Sequence, residues 1–412
     1  MSSTSTIPAN ASPADPGSPS SGLLISLSPL APDALNITLD NIAAAFPNQA
    51  IEVTTPDPTP GSPSDNLRLS TYTPSVAAPS AWILTAADYL NTYKRMQETR
   101  STACLLLGPE AQSLTPKSLR SLAGALIAGP ADLATPQYAL GPRDGLVNSA
   151  ILYPVTRALF GTRPHYPQAI DLAFSARMAE RLAACAQRLT AANQPTALIW
   201  PVAEAATSSF SIAEIPSVSR ALPPPDTVDL NSLLALVAGS FFADLDAKAS
   251  FWQRSRLAYS PKAAAALADT SPVQSAAIEP IETPDVQPML DSFRLAYTNL
   301  HEIWSLVLPP NSLLGLKKLS LMPSSAFRMP DSLWARIVYD FVLAYRLRTI
   351  NRGHLLGALT PLYLAWVASH LLLTSGTSAE SPQNHVEALA AAFETDKPYL
   401  VARWRWPDRF NP

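Results

Sequence analysis

Three arginines and a tyrosine have side chains that could bind an anionic group. Arg143 and Arg157 flank the stretch DGLVNSAILYPVT at 144–156, and Arg220 precedes the proline-rich segment ALPPPD. The planar guanidinium of arginine presents a fork of N–H donors that matches two phosphate or carboxylate oxygens at once. Together with the Tyr138 hydroxyl, these side chains predict an anion-binding site. Because Arg157 falls within a predicted helix, a surface ion pair is its alternative role.

Three carboxylates are candidates for proton transfer or hydroxyl binding. Glu110 follows the apolar run ACLLLG, Asp144 directly precedes Gly145, and Asp171 lies in the segment YPQAIDLAFS. A positioned carboxylate can act as a general base, and it is also the ligand that hard cations prefer. Each has a structural alternative. Glu110 could be a solvated loop acid, Asp144 a helix cap, and Asp171 a buried hydrogen-bonding residue that orders a loop.

Several common motifs are absent from the sequence. The five histidines form neither an HxH nor an HExxH spacing, which argues against a zinc site. The absence of GxGxxG, GxxxxGK[ST] and GxSxG argues against a Rossmann dehydrogenase, a P-loop NTPase and an α/β-hydrolase. Cys104 and Cys185 are too few for a disulfide framework and are interpreted as core residues.

Composition bounds the class of protein and its partners. The chain has 412 residues, of which 47% are apolar and 15% charged, with a net charge of −3. This length allows a large buried core, and the sequence contains neither a basic stripe nor an acidic tail. We therefore expect no nucleic acid partner. The low cysteine content fits a reducing cytoplasm, and a homo-oligomer is left open.

Two segments bear on targeting. Residues 1–21 are polar and proline-rich without the regions of a signal peptide, and they are predicted to form a disordered tail. Residues 355–373 are apolar over the ~20 residues that a membrane span needs. This segment contains Pro361, Ser369 and His370 and stands alone near the C-terminus. It is therefore interpreted as a buried helix, and no transmembrane span is expected.

Apolar runs alternate with segments of helical spacing in the first half of the chain. Buried strands are predicted at 22–30, 49–55, 102–108 and 132–139. Helices are predicted at 33–46, 82–97 and 115–129. Asp33 and Thr115 are the expected N-caps, and residues 56–80 are expected to be a loop. The alternation indicates parallel crossovers in an α/β sheet.

Helical periodicity predominates from about residue 226 onward. We therefore predict an α/β domain at 22–225 and a helical C-terminal domain at 226–412. Within the helical part, residues 258–285 are rich in Ala, Pro, Ser and Thr, a composition typical of a mobile excursion or linker.

Several segments, in order, resemble bacterial glycosyltransferases similar to mannosylglycerate synthase. The most specific is DGLVNSAILYPVTRALFG at 144–161, followed by YPQAIDLAFS at 166–175. The family's closing pattern is resembled by SLWARIVYDFVLAY (332–345), ALTPLY (358–363) and FETDKPYLVARW (393–404). The similarity is patchy but ordered over roughly residues 22–406. It implies a GT-A-like nucleotide-sugar-binding domain with a mostly parallel sheet, followed by a helical C-terminal domain.

The resemblance implies that the usual metal site is degenerate. In most such enzymes an Asp-x-Asp at a strand end holds Mg²⁺ or Mn²⁺, which stabilises the departing nucleoside diphosphate. The corresponding stretch here is Gly108-Pro109-Glu110, with a single carboxylate. Leu198 stands in place of an acid near the acceptor, and Leu222 in place of a histidine that commonly completes the metal site. Nucleotide binding is therefore expected to be insensitive to divalent metal.

The resemblance also assigns roles to residues that survive. Asp171 and Asp144 match family positions and are candidate catalytic residues. The candidate ligands of a nucleotide sugar are Glu110, Tyr138, Arg143, Arg157 and Arg220, the last at the position of a family lysine.

Two hypotheses of different classes follow. The first is a metal-independent glycosyltransferase that moves a sugar from a nucleotide-sugar donor to a small polar acceptor, with arginines stabilising the leaving diphosphate. The second is a catalytically inactive relative that acts as a binding or scaffolding protein. Clustered arginines that face a pocket would favour the enzyme, whereas a filled pocket would favour the inactive relative.

Overall fold

The structure, a computed structural model, describes residues 22–56, 65–74, 83–141, 143–221, 229–254, 285–375 and 381–406. The predicted tail at 1–21 and nearly all of the predicted excursion at 258–285 lie outside these ranges. Within them, the chain forms an α/β layer followed by a set of helices.

A mixed sheet of seven strands forms the centre of the α/β layer in the described ranges. The strands are β1 (Leu23–Leu27), β2 (Ile51–Thr55), β3 (Leu67–Thr71), β4 (Ala103–Leu107), β5 (Leu133–Tyr138), β6 (Asp171–Ser175) and β7 (Ile212–Val218). Their order is β3-β2-β1-β4-β6-β5-β7. Only β6 runs antiparallel to its neighbours. The predicted α/β class and mostly parallel sheet are confirmed.

The helices of the α/β layer lie between these strands in sequence. They are α1 (Pro32–Ala45), α2 (Ala86–Thr99), α3 (Pro116–Ile127), a π-helical turn (Asn148–Leu152) continuing into α4 (Tyr153–Phe160), α5 (Ala176–Ala191) and α6 (Pro201–Thr207). The described part of the chain after them contains α7 (Leu230–Ala247), α8 (Ala249–Trp252), α9 (Gln287–Asn299), α10 (His301–Val307), α11 (Pro310–Ser320), α12 (Asp331–Leu347), α13 (Arg352–Thr374) and α14 (Pro382–Arg405). The expected helical character of the C-terminal part is confirmed there.

Local sequence explains where most of these elements begin. Every residue of β1 and of β4 is buried, as expected for strands covered on both faces. The predicted cap of α3 is confirmed, because the Thr115 side chain accepts a hydrogen bond from Ser118 N at 3.2 Å. Helix α2 starts later than predicted, because Thr85 and Asp88 form a capping box there.

Two local predictions are wrong. Asp33 does not cap α1. The N-cap is Ala31, with Pro32 at the first helical position, and Asp33 lies in the first turn, where a negative charge favours the helix dipole. The segment 56–80, predicted to be a loop, contains β3. That strand is at the sheet edge and pairs only with β2, so its side chains are partly exposed and its apolar signal is weak.

Two hydrophobic cores are present, and they do not divide at the predicted boundary of 225/226. One surrounds the sheet. The other lies among the C-terminal helices but also takes in side chains from residues 150–160, together with Leu198 and Trp200. Trp334 on α12 reaches this segment directly, since its Nε1 donates to the Ala150 carbonyl at 2.8 Å. The second core is therefore shared between the α/β layer and the C-terminal helices.

Two helices in the described ranges are long and apolar enough to cross a membrane. In α13, 83% of the apolar window is buried within the protein, against 39% in α7. A helix in the core of a protein can have the same length and composition as a membrane span. The burial of α13 is what we expect of the buried helix predicted at 355–373.

Candidate functional site

The carboxyl edge of the sheet gathers most of the predicted site residues. Strand β4 leads there into Gly108, and β5 ends there at Tyr138. The antiparallel β6 begins at the same edge with Asp171, and Arg220 follows β7. The chain leaves β1 towards β2 on one side and leaves β4 towards β5 on the other, so the strand order reverses between β1 and β4. At such a point an open α/β sheet has the crevice in which ligands bind, outside the carboxyl ends of its strands.

Asp171 is completely enclosed and hydrogen-bonded at this edge. Its Oδ2 accepts from Arg220 Nε at 2.7 Å and from the Tyr138 hydroxyl at 3.0 Å. Its Oδ1 accepts from Arg220 Nη2 at 3.1 Å and from Gly108 N at 3.2 Å. Four donors therefore surround a carboxylate whose side chain is 0% exposed. Burial and the nearby Asp171 charge raise the pKa of Tyr138 well above its ordinary value, so the tyrosine is a stable donor.

Arg220 is equally enclosed, with its side chain 0% exposed. Besides the two bonds to Asp171, its Nη1 donates to Ser113 Oγ at 3.0 Å and to the Glu110 carbonyl, and its Nη2 donates to the Pro109 carbonyl. The guanidinium thus lies between Asp171 and the carbonyls that follow β4. It offers no exposed donor to a phosphate.

The strand-end segment has no room for the carboxylate that Gly108 lacks. A Cβ on Gly108 would lie 2.6 Å from the Ile170 carbonyl oxygen and 2.9 Å from the Ile170 Cβ. Glu110 adopts a left-handed conformation with φ of 61°, and its carboxylate accepts from Gln112 Nε2 at 2.6 Å. Leu222 lies outside the described residues. Among those that are described, no three His, Cys, Asp or Glu side chains could together hold a metal ion.

The other predicted residues lie away from this closed pair. Asp144 is exposed and does not cap a helix. Its Oδ2 accepts from Gly141 N at 3.2 Å and closes a turn, with Arg143 exposed beside it. Arg157 on α4 pairs with α14, donating to both oxygens of Glu394 at 3.0 and 3.1 Å and to Glu387. For Arg157 the ion-pair alternative is observed, at the contact between α4 and α14.

A polar pocket of about 160 Å³ opens next to the sheet edge, between the α/β layer and helices α13 and α14. We call it the junction pocket. The polar side chains that line it include Asp144, Asn148, Tyr153, His165, Gln383 and Glu387. Tyr138 and Asp144 are the predicted site residues that reach it, and the remaining lining was not foreseen from the sequence.

His165 is the charged centre of the junction pocket. Its Nδ1 lies 2.9 Å from Glu214 Oε2 and its Nε2 lies 3.3 Å from Glu387 Oε1. The ring stacks on Tyr153 with centroids 4.7 Å apart. Although burial opposes its charge, the two carboxylates raise the pKa of His165 to about 9. Burial likewise opposes the charge of Glu387, but hydrogen bonds from His165, Tyr153 and Arg157 lower its pKa to about 2.

Little in the sequence indicated that His165 would be a site residue. It lacks the spacing of a metal ligand, and its partner Glu387 is on the last described helix. The only local signal is its position between the two segments of strongest family resemblance, 144–161 and 166–175.

A larger groove of about 1270 Å³ lies elsewhere, between α5 and α7. Leu198 lines it, 5% exposed and packed into the helical core. Lys248 in this groove pairs with Glu204 at 2.8 Å and with Asp244, and Arg181 pairs with Glu204. None of the predicted catalytic or nucleotide-sugar residues lines it. We therefore take the junction pocket, which is lined by two of those residues, Tyr138 and Asp144, as the candidate site.

No family model matches the sequence. No curated protein matches it either. The fold and the site therefore define only a class: an α/β protein with a mixed sheet whose carboxyl edge is closed by a buried ion pair beside a polar pocket.

Proposed function

We propose that this protein has a GT-A-like fold without sugar-transfer activity, and that it binds a small polyhydroxy compound in the junction pocket. The observation that carries the proposal is the enclosure of Arg220, with its donors directed to Asp171, Ser113 and the carbonyls after β4.

Transfer from a nucleotide sugar needs positive charge that can contact the leaving diphosphate. Arg220 was the leading candidate for that role, but Asp171 neutralises its charge and no part of its side chain is exposed. Arg157 is engaged with Glu387 and Glu394. The clustered arginines that would have favoured the enzyme hypothesis do not face the junction pocket.

The carboxylate of Asp171 is also not accessible to act as a catalytic base. Asp171 is enclosed and accepts four hydrogen bonds, so neither of its oxygens can reach a substrate hydroxyl. Of the two candidate catalytic residues, only Asp144 has an exposed carboxylate on the junction pocket.

The lining and size of the junction pocket support a polyhydroxy ligand. Hydroxyl, amide and carboxylate groups line it, and these form the multiple hydrogen bonds that fix a sugar or polyol. Its 160 Å³ is below the roughly 300 Å³ at which sites for drug-sized ligands begin, so the pocket fits a compound the size of one sugar ring. We propose a cytoplasmic location, because both cysteines in the sequence are free.

A ligand screen with an activity assay tests the proposal. Thermal unfolding is followed with monosaccharides, polyols and sugar acids, and nucleoside diphosphate release is assayed with UDP- and GDP-sugars in EDTA or Mn²⁺. We expect a polyhydroxy compound at 100 times its dissociation constant to stabilise the fold by about 2.7 kcal/mol, with no diphosphate release. Saturable turnover, or a tenfold gain in nucleotide affinity with Mn²⁺, would contradict the proposal.

Matched variants locate the binding site. Gln383 lines the junction pocket, and its neighbour Asn384 is exposed without lining it. Gln383→Ala should weaken binding of the stabilising compound, whereas Asn384→Ala should leave it unchanged. Equal effects of the two substitutions would place the ligand elsewhere.

A further inference from the structure

One wall of the junction pocket carries a buried histidine pair. His370 on α13 and His385 on α14 are 1% and 4% exposed, and their Nδ1 atoms are 2.7 Å apart. On its other side, His385 Nε2 lies 3.2 Å from Asp331 Oδ1 at the start of α12. Only His370 lines the pocket. The three side chains form a line from the surface of α12 to the pocket.

The contacts in this line determine where the protons lie. The Asp331 carboxylate only accepts hydrogen bonds, so His385 Nε2 must carry a proton. A neutral His385 therefore has a bare Nδ1, which accepts the proton that His370 carries on its own Nδ1. A neutral His370 is left with an unprotonated Nε2, which is an acceptor.

The surroundings favour the neutral form of His370 and fix its orientation. Burial and the adjacent His385 lower the pKa of His370 to about 4. Trp366 stacks on His370 and His385, with centroid distances of 5.1 and 6.0 Å. Because Nδ1 is bonded to His385, Nε2 is the ring nitrogen of His370 that is left for a ligand in the pocket.

Two carboxylates add further hydrogen-bond acceptors to the pocket. Asp144 and Glu387 line it as carboxylates, and His165 is flanked by Glu387 and Glu214. A pocket rich in acceptors favours a ligand that donates hydrogen bonds and disfavours one that brings further negative charge.

We infer that His370 is a binding residue of the junction pocket, whose Nε2 accepts a hydrogen bond from a hydroxyl or amino group of a neutral polyol, sugar or amino sugar. Asp331 and His385 are positioning residues that hold the accepting tautomer. The inference deepens the proposed function and rests on it for the identity of the ligand, whereas the tautomer does not depend on a ligand.

The tautomers are tested on the full-length, ligand-free protein. With ¹⁵N-labelled histidine, long-range ¹H–¹⁵N correlation spectra at neutral pH distinguish protonated from unprotonated ring nitrogens. We expect His370 to be protonated at Nδ1 and bare at Nε2, and His385 to show the reverse. A protonated Nε2 on His370 overturns the inference, whether or not any ligand binds.

Binding is tested by calorimetry with glucose, mannitol and glucosamine as probes and glucose 6-phosphate as the anionic comparison. We expect a neutral or amino compound to bind at least tenfold more tightly than the phosphate. His370→Phe, which keeps a ring but removes the acceptor, should weaken binding at least tenfold. Asp331→Leu should weaken it less and increase the protonated fraction of His370 Nε2, and Asp331→Glu should restore both.

His354→Phe on the exposed side of α13 is the matched control and should bind as the unmodified protein does. Unchanged affinity in folded His370→Phe overturns the inference. If His370→Phe fails to fold, the ¹⁵N shift of His370 Nε2 in the unmodified protein decides, since saturation with the probe must move it. If no probe binds, the proposed function fails together with the ligand assignment, while the tautomers are still decided by the ligand-free spectra.

Discussion

Arg220 and Asp171 form a fully enclosed ion pair at the sheet edge. The family resemblance named both side chains as candidate site residues, but it left open whether Asp171 was catalytic or buried. The role of Asp171 depends on which hydrogen-bond donors surround its carboxylate. The nearest donor is Arg220, which is 49 residues away in the chain. Arg220 supplies a cation at the end of β4, and Asp171 neutralises it. The pair therefore leaves no unpaired charge there for a ligand to bind.

Removing the arginine should leave a buried, uncompensated carboxylate. We expect Arg220→Met to lower the free energy of unfolding by about 3–5 kcal/mol, the usual cost of breaking a buried pair. Urea unfolding followed by circular dichroism measures it. Arg120→Met, at an exposed position of α3, is the control and should change stability by less than about 0.5 kcal/mol. A loss below 1 kcal/mol for Arg220→Met would mean that the guanidinium is not enclosed as described.

Restoring the missing carboxylate should not restore a metal site. We expect Gly108→Asp to destabilise the protein by about 1–3 kcal/mol, because its Cβ would collide with the Ile170 backbone. Thermal unfolding with and without Mn²⁺ measures both effects, and we expect no stabilisation by the metal. Gly124→Ala, in α3 with open space around it, should instead stabilise by about 0.5–1 kcal/mol. A Mn²⁺-dependent rise in melting temperature of Gly108→Asp would contradict the prediction.

At the scale of elements, the sequence predicted what local chemistry determines. The α3 cap and the fully buried strands β1 and β4 were predicted correctly, because each depends on neighbouring residues. Strand β3 was not, since an edge strand has few buried positions. The segment LVNSAILYPVTRALF at 146–160 has the pattern of a helix, but its π-helical turn could not be predicted. The turn lies just before Pro154, whose nitrogen cannot donate to the helix.

His165 connects β7 to α14, and this connection should depend on pH. Its folded pKa of about 9 exceeds the ordinary 6.5, so its stabilisation is fully present below pH 6.5 and is lost as pH rises through 9. The folded pKa of Glu387 is lowered to about 2 from 4.5, so its contribution is present above pH 4.5 and is lost as pH falls through 2.

The difference in unfolding free energy between the unmodified protein and His165→Gln should therefore be largest between pH 4.5 and 6.5. We expect about 1–2 kcal/mol there, after allowing for solvent screening of the half-exposed Glu387. Urea unfolding at pH 6 and pH 10 provides the measurement, and His354→Gln provides an exposed control. A difference that grows from pH 6 to pH 10 would contradict the assigned charge of His165.

At the scale of the whole molecule, the α/β layer and the helices share a core that the sequence did not reveal. The change from alternating elements to helices suggested two domains that meet at 225/226. The sequence does not indicate which core the apolar residues of 150–160 join, because their burial depends on helices that are distant in the chain. The structure places them among the C-terminal helices.

A fragment that ends after the sheet should therefore not fold on its own. Residues 22–221 without the helices would expose Ile151, Val155, Leu159 and Phe160, all buried in the full chain. We expect this fragment to bind the dye ANS and to lack a cooperative thermal transition, whereas 22–406 should unfold cooperatively. Circular dichroism and ANS fluorescence of the two polypeptides measure this. A cooperative transition in 22–221 would mean that the shared core is not needed.

The distribution of two residue types gives each core its own natural reporter. Both cysteines of the chain, Cys104 and Cys185, are free and buried around the sheet, and burial raises the pKa of the Cys185 thiol to about 11. The helical core instead contains Trp200, Trp252, Trp304, Trp334, Trp366 and Trp404. The rate at which a thiol reagent labels Cys104, which lies on β4 and is 0% exposed, thus reports the opening of the sheet, while indole fluorescence follows mainly the helices. Comparing the two signals in one sample would show whether the α/β layer separates from the C-terminal helices before either unfolds.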